Sequence, residues 1–373
     1  MVNQKELFDS LNKIGIDFFT GVPDSLLNDF CLYLTENLSD SQHIMASNEG
    51  NAIGIAVGHY LATGKVPLVY MQNSGIGNAT NPLLSIAHNS VYGIPMILLI
   101  GWRGDPEVKD HVQHKKQGEL TPVLMDNMDI PFDILESEST VIDKFRWALA
   151  EAQKISSPVA LIAKKGILTE KIKRQFYPQS NLLSREEAIS STLDIIGENA
   201  VFLATTGRAT RELHEQLSLK GWKQGNEFLN VGAMGHLSSV ALGIAISKPD
   251  KKIVVFDGDA AALMHMGALA TNGRYPSPNL IHIIMNNGVN ESVGGQKSAG
   301  YIVNLTQIAQ ACGYETPMNP ITTKEELKLF LQSTSNFKPK FIDFHIRQGI
   351  RTDLPKLDIN HKNLKDRLMA YLK

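Results

Sequence analysis

Cysteine is almost missing from this chain. Of 373 residues only Cys31 and Cys312 carry a thiol, and neither sits at metal-type spacing. Free thiols in a reducing, cytoplasmic compartment are therefore the simplest expectation. An excess of one charge is missing too: 36 Lys and Arg stand against 38 Asp and Glu, for a net charge of −2. With no basic run interleaved with aromatics, nucleic acid is not an expected partner. Long apolar runs are also lacking, and Ile94–Ile100 falls far below the roughly 20 residues of a membrane span. The N-terminal MVNQKELFDSLNKIG has the spacing of an amphipathic helix and no signal-peptide core, so no membrane partner is expected. What remains, 43% apolar and 20% charged residues, describes a globular chain with length enough for two or three domains.

The most informative stretch is Lys251–Gly295, KKIVVFDGDAAALMHMGALATNGRYPSPNLIHIIMNNGVNESVGG. Ile253–Phe256 is a β-branched and aromatic run that stops at Asp257-Gly258-Asp259 and reads as a buried strand meeting a tight turn. Helical spacing follows from Ala260 to Leu269, with Gly273 and Pro276 as breakers, and a second strand, Leu280–Met285, ends at Asn286-Asn287-Gly288. Strand, helix, strand predicts parallel neighbours, with Asp259 and Asn287 at adjacent strand ends in the crevice where open α/β sheets bind ligands. One carboxylate and one amide oxygen suit Mg²⁺, which takes few protein ligands and fills its octahedron with water and phosphate. The turn and helix start after Gly258 favour an anion. A capping Asp and a turn Asn-Gly account for either residue taken singly; the pair at this spacing favours a Mg²⁺-diphosphate clamp.

The chain also carries a faint duplication. At a constant offset of 185, Gly50, Ala56 and Gly58 fall on Gly235, Ala241 and Gly243, and Leu68–Tyr70 falls on Ile253–Val255. One residue out of register, Gly21 to Asp24 falls on Gly207 to Thr210. Pro158–Ala163 reads as a strand, Lys164–Pro178 as charged and irregular, and Ser184-Arg185-Glu186-Glu187 has capping-box spacing. The reading is α/β: two doubly wound parallel-sheet domains of like fold, 1–168 and 184–373, with a linker at 169–183. Glu49 lies at the start of a Gly- and Ala-rich helix, where a carboxylate also simply suits the helix dipole. Its counterpart in the repeat is Met234, by itself an ordinary packing residue.

Gly258-Asp259-Ala260 with Asn286-Asn287 resembles the diphosphate motif of thiamine diphosphate enzymes, a Gly-Asp-Gly followed further on by Asn-Asn; Ala260 stands where the third glycine is usual. The resemblance implies thiamine diphosphate and Mg²⁺ as cofactors, with Asp259, Asn287 and the backbone carbonyl of Val289 on the metal. It implies that Glu49 faces the cofactor's aminopyrimidine and works as its acid–base partner, and that Met234, in Gly232-Ala233-Met234-Gly235-His236, props the cofactor into a bent shape. It also implies a pyrimidine-binding first half and a diphosphate-binding second half. The third, central domain common in the family has no room here. The cofactor then lies between the two domain types, usually of different subunits, so a homodimer or larger assembly follows.

Further stretches are similar to the phosphonopyruvate decarboxylase and sulfopyruvate decarboxylase branch of that family. They are Gly21-Val22-Pro23-Asp24-Ser25-Leu26-Leu27, Asn73-Ser74-Gly75-Ile76-Gly77-Asn78, Trp102-Arg103-Gly104, Thr205-Thr206-Gly207 with Arg211-Glu212-Leu213, Leu263–Gly267 and Ser292–Gln296. The branch usually shows Asp-Glu-Pro-Gln-His where this chain has Asp110-His111-Val112-Gln113-His114, and His where it has Asn290. The resemblance implies a non-oxidative carboxy-lyase acting on a small keto acid with an anionic tail, and it includes Asn73, Gly232 and Gly258 among the cofactor-binding positions. Such a tail needs cations and aligned donors, for which Ser25, Arg103, Lys297 and Arg351 are candidates, each equally a solvated surface group. His114, which keeps the Gln-His of the motif, is the candidate second acid–base residue.

Overall fold

The computed structural model describes residues 2–169, 181–222, 225–333, 337–349, 351–355, 357 and 359–373. Residues 170–180 of the expected linker lie outside these. The chain forms two compact units, Met1–Arg174 with Val293–Gln296, and Gln175–Ser292 with Lys297–Lys373. Among the described residues no helix is long and apolar enough to cross a membrane.

The first unit is built on strands β1 (Phe19–Gly21), β2 (His43–Met45), β3 (Leu68–Gln72), β4 (Met96–Gly101), β5 (Phe132–Leu135) and β6 (Pro158–Ala163). They form one parallel sheet in the order β2-β1-β3-β4-β6-β5. LVYMQ, MILLIG and PVALIA are nearly unbroken apolar runs because helices cover both faces of the sheet. Leu7, Phe30, Tyr70, Leu99 and Phe145 pack one face, and Ile53, Ala56, Met71, Ile100 and Met125 the other. The chain leaves β1 toward one edge and returns at β3 toward the other, which opens a crevice at their carboxyl ends. The segments after β1, β3 and β4 all end there.

The second unit contains β7 (Ala200–Ala204), β8 (Glu227–Leu229), β9 (Lys252–Gly258), β10 (Leu280–Asn286), the two-residue β11 (Val289–Asn290) and β13 (Lys340–His345), while the two-residue β12 (Gln296–Lys297) begins on the last residue of the first unit and ends in the second. Its parallel sheet runs β13-β10-β9-β7-β8. Read from the other edge this is β8-β7-β9-β10-β13, the order β2-β1-β3-β4-β6 of the first sheet, which carries β5 as one strand more. The offset of 185 places β3 on 253–257 within β9 and β4 on 281–286 within β10. The capping box at Ser184 is present, its hydroxyl accepting the Glu187 N–H at 3.1 Å and its own N–H donating to the Glu187 carboxylate at 2.8 Å.

One expected element is different. Instead of a single helix from Ala260 to Leu269 there are two, Asp259–Met264 and Gly267–Arg274. The break at His265-Met266 lets the His265 ring lie against Gly235, where a β-carbon would come within 2.7 Å of it and 2.8 Å of the Ala261 carbonyl. Gly273, expected to end the helix, stays inside it, and the Cys312–Gly313 backbone passes where a side chain at this position would stand.

Candidate active site

β9 and β10 are paired so that Gly258 faces Met285; Asp259 stands one step beyond this pair on one strand and Asn287 two steps beyond it on the other. Both are buried. Asp259 opens its short helix and accepts a hydrogen bond from the Ser298 hydroxyl. Gly300 passes so close to this carboxylate and to the Asn286 amide that any side chain there would displace them. Burial pushes the Asp259 carboxyl up to about 6, against the opposing pull of the Ser298 hydroxyl. Among the described residues no Lys, Arg or His forms an ion pair with it. The Asn287 side-chain oxygen accepts the Val289 N–H at 3.2 Å, closing a tight turn at Gly288, whose φ is +68°.

These residues fit the group expected of them. A desolvated carboxylate without a cation is the deficit that a bound cation fills. The three donors expected here, the Asp259 carboxylate, the Asn287 amide oxygen and the Val289 backbone carbonyl, are all hard oxygen. Among the described residues no cluster of three or more His, Cys, Asp or Glu stands ready to hold a metal. Space for the phosphate is present as well: a β-carbon on Gly232 would meet nothing within 4 Å, and one on Gly258 only the Thr205 methyl at 3.9 Å. The Thr205 hydroxyl, beside that space, is buried and has no partner. Ala260 follows directly on the short helix's first residue. Met234, half-buried, is held between Ala233 at φ +50° and Gly235 at φ +84°. A left-handed alanine costs about 1 kcal/mol, so the surrounding structure over-determines this turn.

In the first unit, Glu49 is the first residue of the helix Glu49–Thr63, capped by Asn48 through the Gly50 N–H at 2.8 Å. It is 4% exposed, and its Oε2 accepts from the Asn78 amide at 2.7 Å. Asn73 is also buried, and its amide is used inside the unit: it donates to the Arg103 carbonyl at 2.8 Å and the Thr121 hydroxyl at 2.9 Å, and accepts the Arg103 N–H at 3.2 Å. Asn73 thus fastens the end of β3 to the segment after β4.

That segment borders a cavity of about 270 Å³ lined by Ser25, Leu26, Arg103, Asp110, Lys109 and Lys165 among others. Arg103 forks onto Asp110 through Nε and Nη2, both at 2.7 Å, and its Nη1 donates to the Ser25 hydroxyl at 3.0 Å. Asp110 also accepts the Gly104 and His111 N–H groups at 2.9 and 2.7 Å, so its carboxylate is saturated. The structure therefore joins two of the expected tail-binding residues, Ser25 and Arg103, in one cavity. His114 does not line it; its ring is half-buried with Nδ1 unpartnered, and burial, helped by Arg103, pulls it down to about 4, so it is neutral at pH 7. The other two stand in the second unit. Lys297 is exposed, and the Arg351 guanidinium is occupied by Glu215, Glu186 and Asp353.

Sequence reasoning passed over Ser298, Asn78 and Thr205. Asn78 and Thr205 lie within motifs already singled out; nothing in the pattern around Ser298 marks it.

Residues 2–129 match the family described as thiamine pyrophosphate enzyme, N-terminal TPP binding domain, and residues 206–344 the corresponding C-terminal TPP binding domain. The chain is 29% identical to a phosphonopyruvate decarboxylase of Streptomyces viridochromogenes, over 100% of this chain and 95% of that protein. It is 32% identical to a phosphonopyruvate decarboxylase of Streptomyces hygroscopicus, over 84% of this chain and 80% of that one. A sulfopyruvate decarboxylase of Methanosarcina acetivorans is 24% identical over 100% of this chain and 98% of its own length.

Proposed function

The chain belongs to the thiamine diphosphate-dependent decarboxylases of the phosphonopyruvate and sulfopyruvate decarboxylase type, a carboxy-lyase family, and from that membership we propose that it converts 3-phosphonopyruvate to phosphonoacetaldehyde and CO2. The reaction is non-oxidative, uses Mg²⁺ with thiamine diphosphate, and serves phosphonate biosynthesis in the cytoplasm.

The observation that carries this reading is the oxygen-only corner at the tips of β9 and β10. Asp259, Asn287 and the Val289 carbonyl would hold Mg²⁺, and Gly232, Gly258 and Ala260 would leave room for the diphosphate. When bound, thiamine diphosphate supplies the electron sink for the charge released with CO2. Glu49, its Oε2 held by Asn78, would offer Oε1 as proton donor and acceptor toward the aminopyrimidine ring. Ser25 and Arg103 supply donors for the phosphonate oxygens, with Lys109 and Lys165 adding positive charge at the same cavity.

A homodimer or larger assembly, with active sites between subunits, is part of the proposal. The helix Glu49–Thr63 leaves Gly54, Gly58 and Leu61 exposed along one side, and the helix Leu237–Ser247 leaves Ser239, Gly243 and Ile246 exposed at the positions related by the repeat. A contiguous small and apolar strip of this kind suits a second helix.

The test is CO2 release from phosphonopyruvate and sulfopyruvate side by side, with Mg²⁺ and thiamine diphosphate present. A kcat/KM at least about 10-fold higher for phosphonopyruvate is expected, as for a site that distinguishes substrates by about 1–3 kcal/mol. The reverse preference would make the chain a sulfopyruvate decarboxylase. Cofactor binding without turnover of either keto acid would reduce it to a binding module.

A further inference from the structure

The loop that carries Asn287 and Val289 is held from behind by groups that do not belong to the metal corner. Arg185, the first residue of the helix Arg185–Ile196, forks onto Glu212 at 2.6 and 3.0 Å and sends its remaining Nη1 to Glu291 Oε2 at 3.0 Å. The three side chains are 11%, 5% and 5% exposed. Glu291 lies two residues after Val289. Its other oxygen accepts the Gly349 N–H at 2.5 Å, and the neighbouring Gln348 amide donates to the Asn287 carbonyl at 3.3 Å. Upstream, the Ile346 N–H donates to the Asn286 carbonyl at 2.8 Å. Tyr301 donates to the Asn286 and Ile346 carbonyls at 3.3 and 3.1 Å, and its ring fills the space over Gly288.

Both ends of the turn are thus tied to the segment that leaves β13, and one end also to a buried arginine. Buried ion pairs add little net stability, because desolvating the charges offsets their attraction. A buried Glu-Arg-Glu set is therefore poorly explained as a stability device. It does fix position: the fork on Glu212 fixes the Arg185 guanidinium, and its Nη1 on Oε2 together with the Gly349 N–H on Oε1 holds the Glu291 carboxylate and the loop that bears it.

We infer that Arg185, Glu291 and Gln348 are positioning residues for the metal site, a clamp that holds the Asn287 side chain and the Val289 carbonyl in the arrangement Mg²⁺ requires. The inference rests on the metal reading of Asp259 and Asn287 given above. Mg²⁺ demands near-ideal octahedral geometry, so loosening such a loop lowers metal affinity before it lowers anything else. Groups behind a metal's ligands typically contribute about 10- to 100-fold to affinity.

The experiment titrates the full-length protein with MgCl2 at saturating thiamine diphosphate, following intrinsic fluorescence or heat of binding. Variants are Glu291→Gln, Arg185→Lys and Gln348→Ala, with Asp259→Asn as the ligand control and Thr323→Ala, which removes a distant helix cap, as the stability control. The expected result is a Mg²⁺ half-saturation raised about 10- to 100-fold by Glu291→Gln and Arg185→Lys, and less by Gln348→Ala. The kcat of Gln348→Ala should return to the wild-type value at saturating Mg²⁺, and Thr323→Ala should lower Tm without moving the titration. Unchanged half-saturation in both Glu291→Gln and Gln348→Ala, with Asp259→Asn impaired, overturns the clamp alone. A wild-type titration without Mg²⁺ dependence, or Asp259→Asn behaving as wild type, overturns the metal reading and the clamp with it.

Discussion

Glu49 has its carboxylate where burial, the Asn78 amide and the close approach of Gly75 leave it one orientation. A β-carbon at Gly75 would meet Glu49 Cγ and Cδ at 2.5 and 2.6 Å. This is the geometry wanted of a group that passes a proton to a fixed partner, since a wandering carboxylate loses most of its acid–base advantage. Glu49→Gln is nearly isosteric and can keep the Asn78 contact, so it should fold with an unchanged circular dichroism spectrum and Tm. Its kcat should fall about 10²- to 10⁴-fold, measured as CO2 release. Activity within tenfold of wild type would remove Glu49 from the proton path. The position of Asp259 and Asn287 at strand ends could be read from the sequence because each follows an apolar run. Ser298 could not, because it reaches Asp259 across 39 residues of chain, and no local period records such a contact. The saturation of Asp110 by Arg103 is of the same kind: the types and spacing suggest cations for a substrate tail, but only the fold shows that this arginine arrives already paired.

Elements were readable wherever a period or a cap dictates them. β9 and β10 are runs of β-branched residues, and the helix at Arg185 begins at a capping box that Ser184 and Glu187 spell out. The broken helix after Asp259 was not readable, since ALMHMGALAT has continuous helical spacing. The break comes from His265 packing on Gly235, a contact between separate elements. Another such contact carries a prediction. Gly118, inside the helix Val112–Asn127, lies directly against the Gly104 carbonyl with no room for a methyl group, and its own carbonyl accepts the Trp102 indole N–H at 2.9 Å. The Trp102–Gly104 segment that bears Arg103 is therefore seated on this helix. Gly118→Ala gains about 1 kcal/mol of helix propensity in isolation but must push the segment away. Overpacking of this kind costs about 1–3 kcal/mol. The variant should show a lower Tm and a raised KM for the keto acid, with its Mg²⁺ titration unchanged, because the proposed metal ligands Asp259 and Asn287 belong to the other unit. A wild-type KM would mean that Arg103 does not meet the substrate.

At the scale of the whole molecule, the repeat offset predicted two halves of like fold, and the sheets β2-β1-β3-β4-β6 and β8-β7-β9-β10-β13 share one strand order. The extra β5 and the assignment of Val293–Gln296 to the first unit leave no trace in the offset, because a repeat is visible only where both halves keep the same residues. The same offset relates the exposed strips Gly54, Gly58, Leu61 and Ser239, Gly243, Ile246. Leu61 is 68% exposed and Ile246 51% exposed, on helices whose opposite sides are fully buried. Covering both strips in a dimer links folding to association, so Tm should rise with chain concentration, and sedimentation at micromolar concentration should find dimers or larger species. Leu61→Asp should remove that concentration dependence and shift the species toward monomer while leaving the circular dichroism spectrum unchanged. Thiamine diphosphate with Mg²⁺ should stabilise the wild type by mass action, about 2.7 kcal/mol at a hundredfold excess over Kd. If active sites form between subunits, Leu61→Asp must lose most of this gain together with its dimers. A monomeric wild type that gains the full stabilisation would show that one chain holds the cofactor alone.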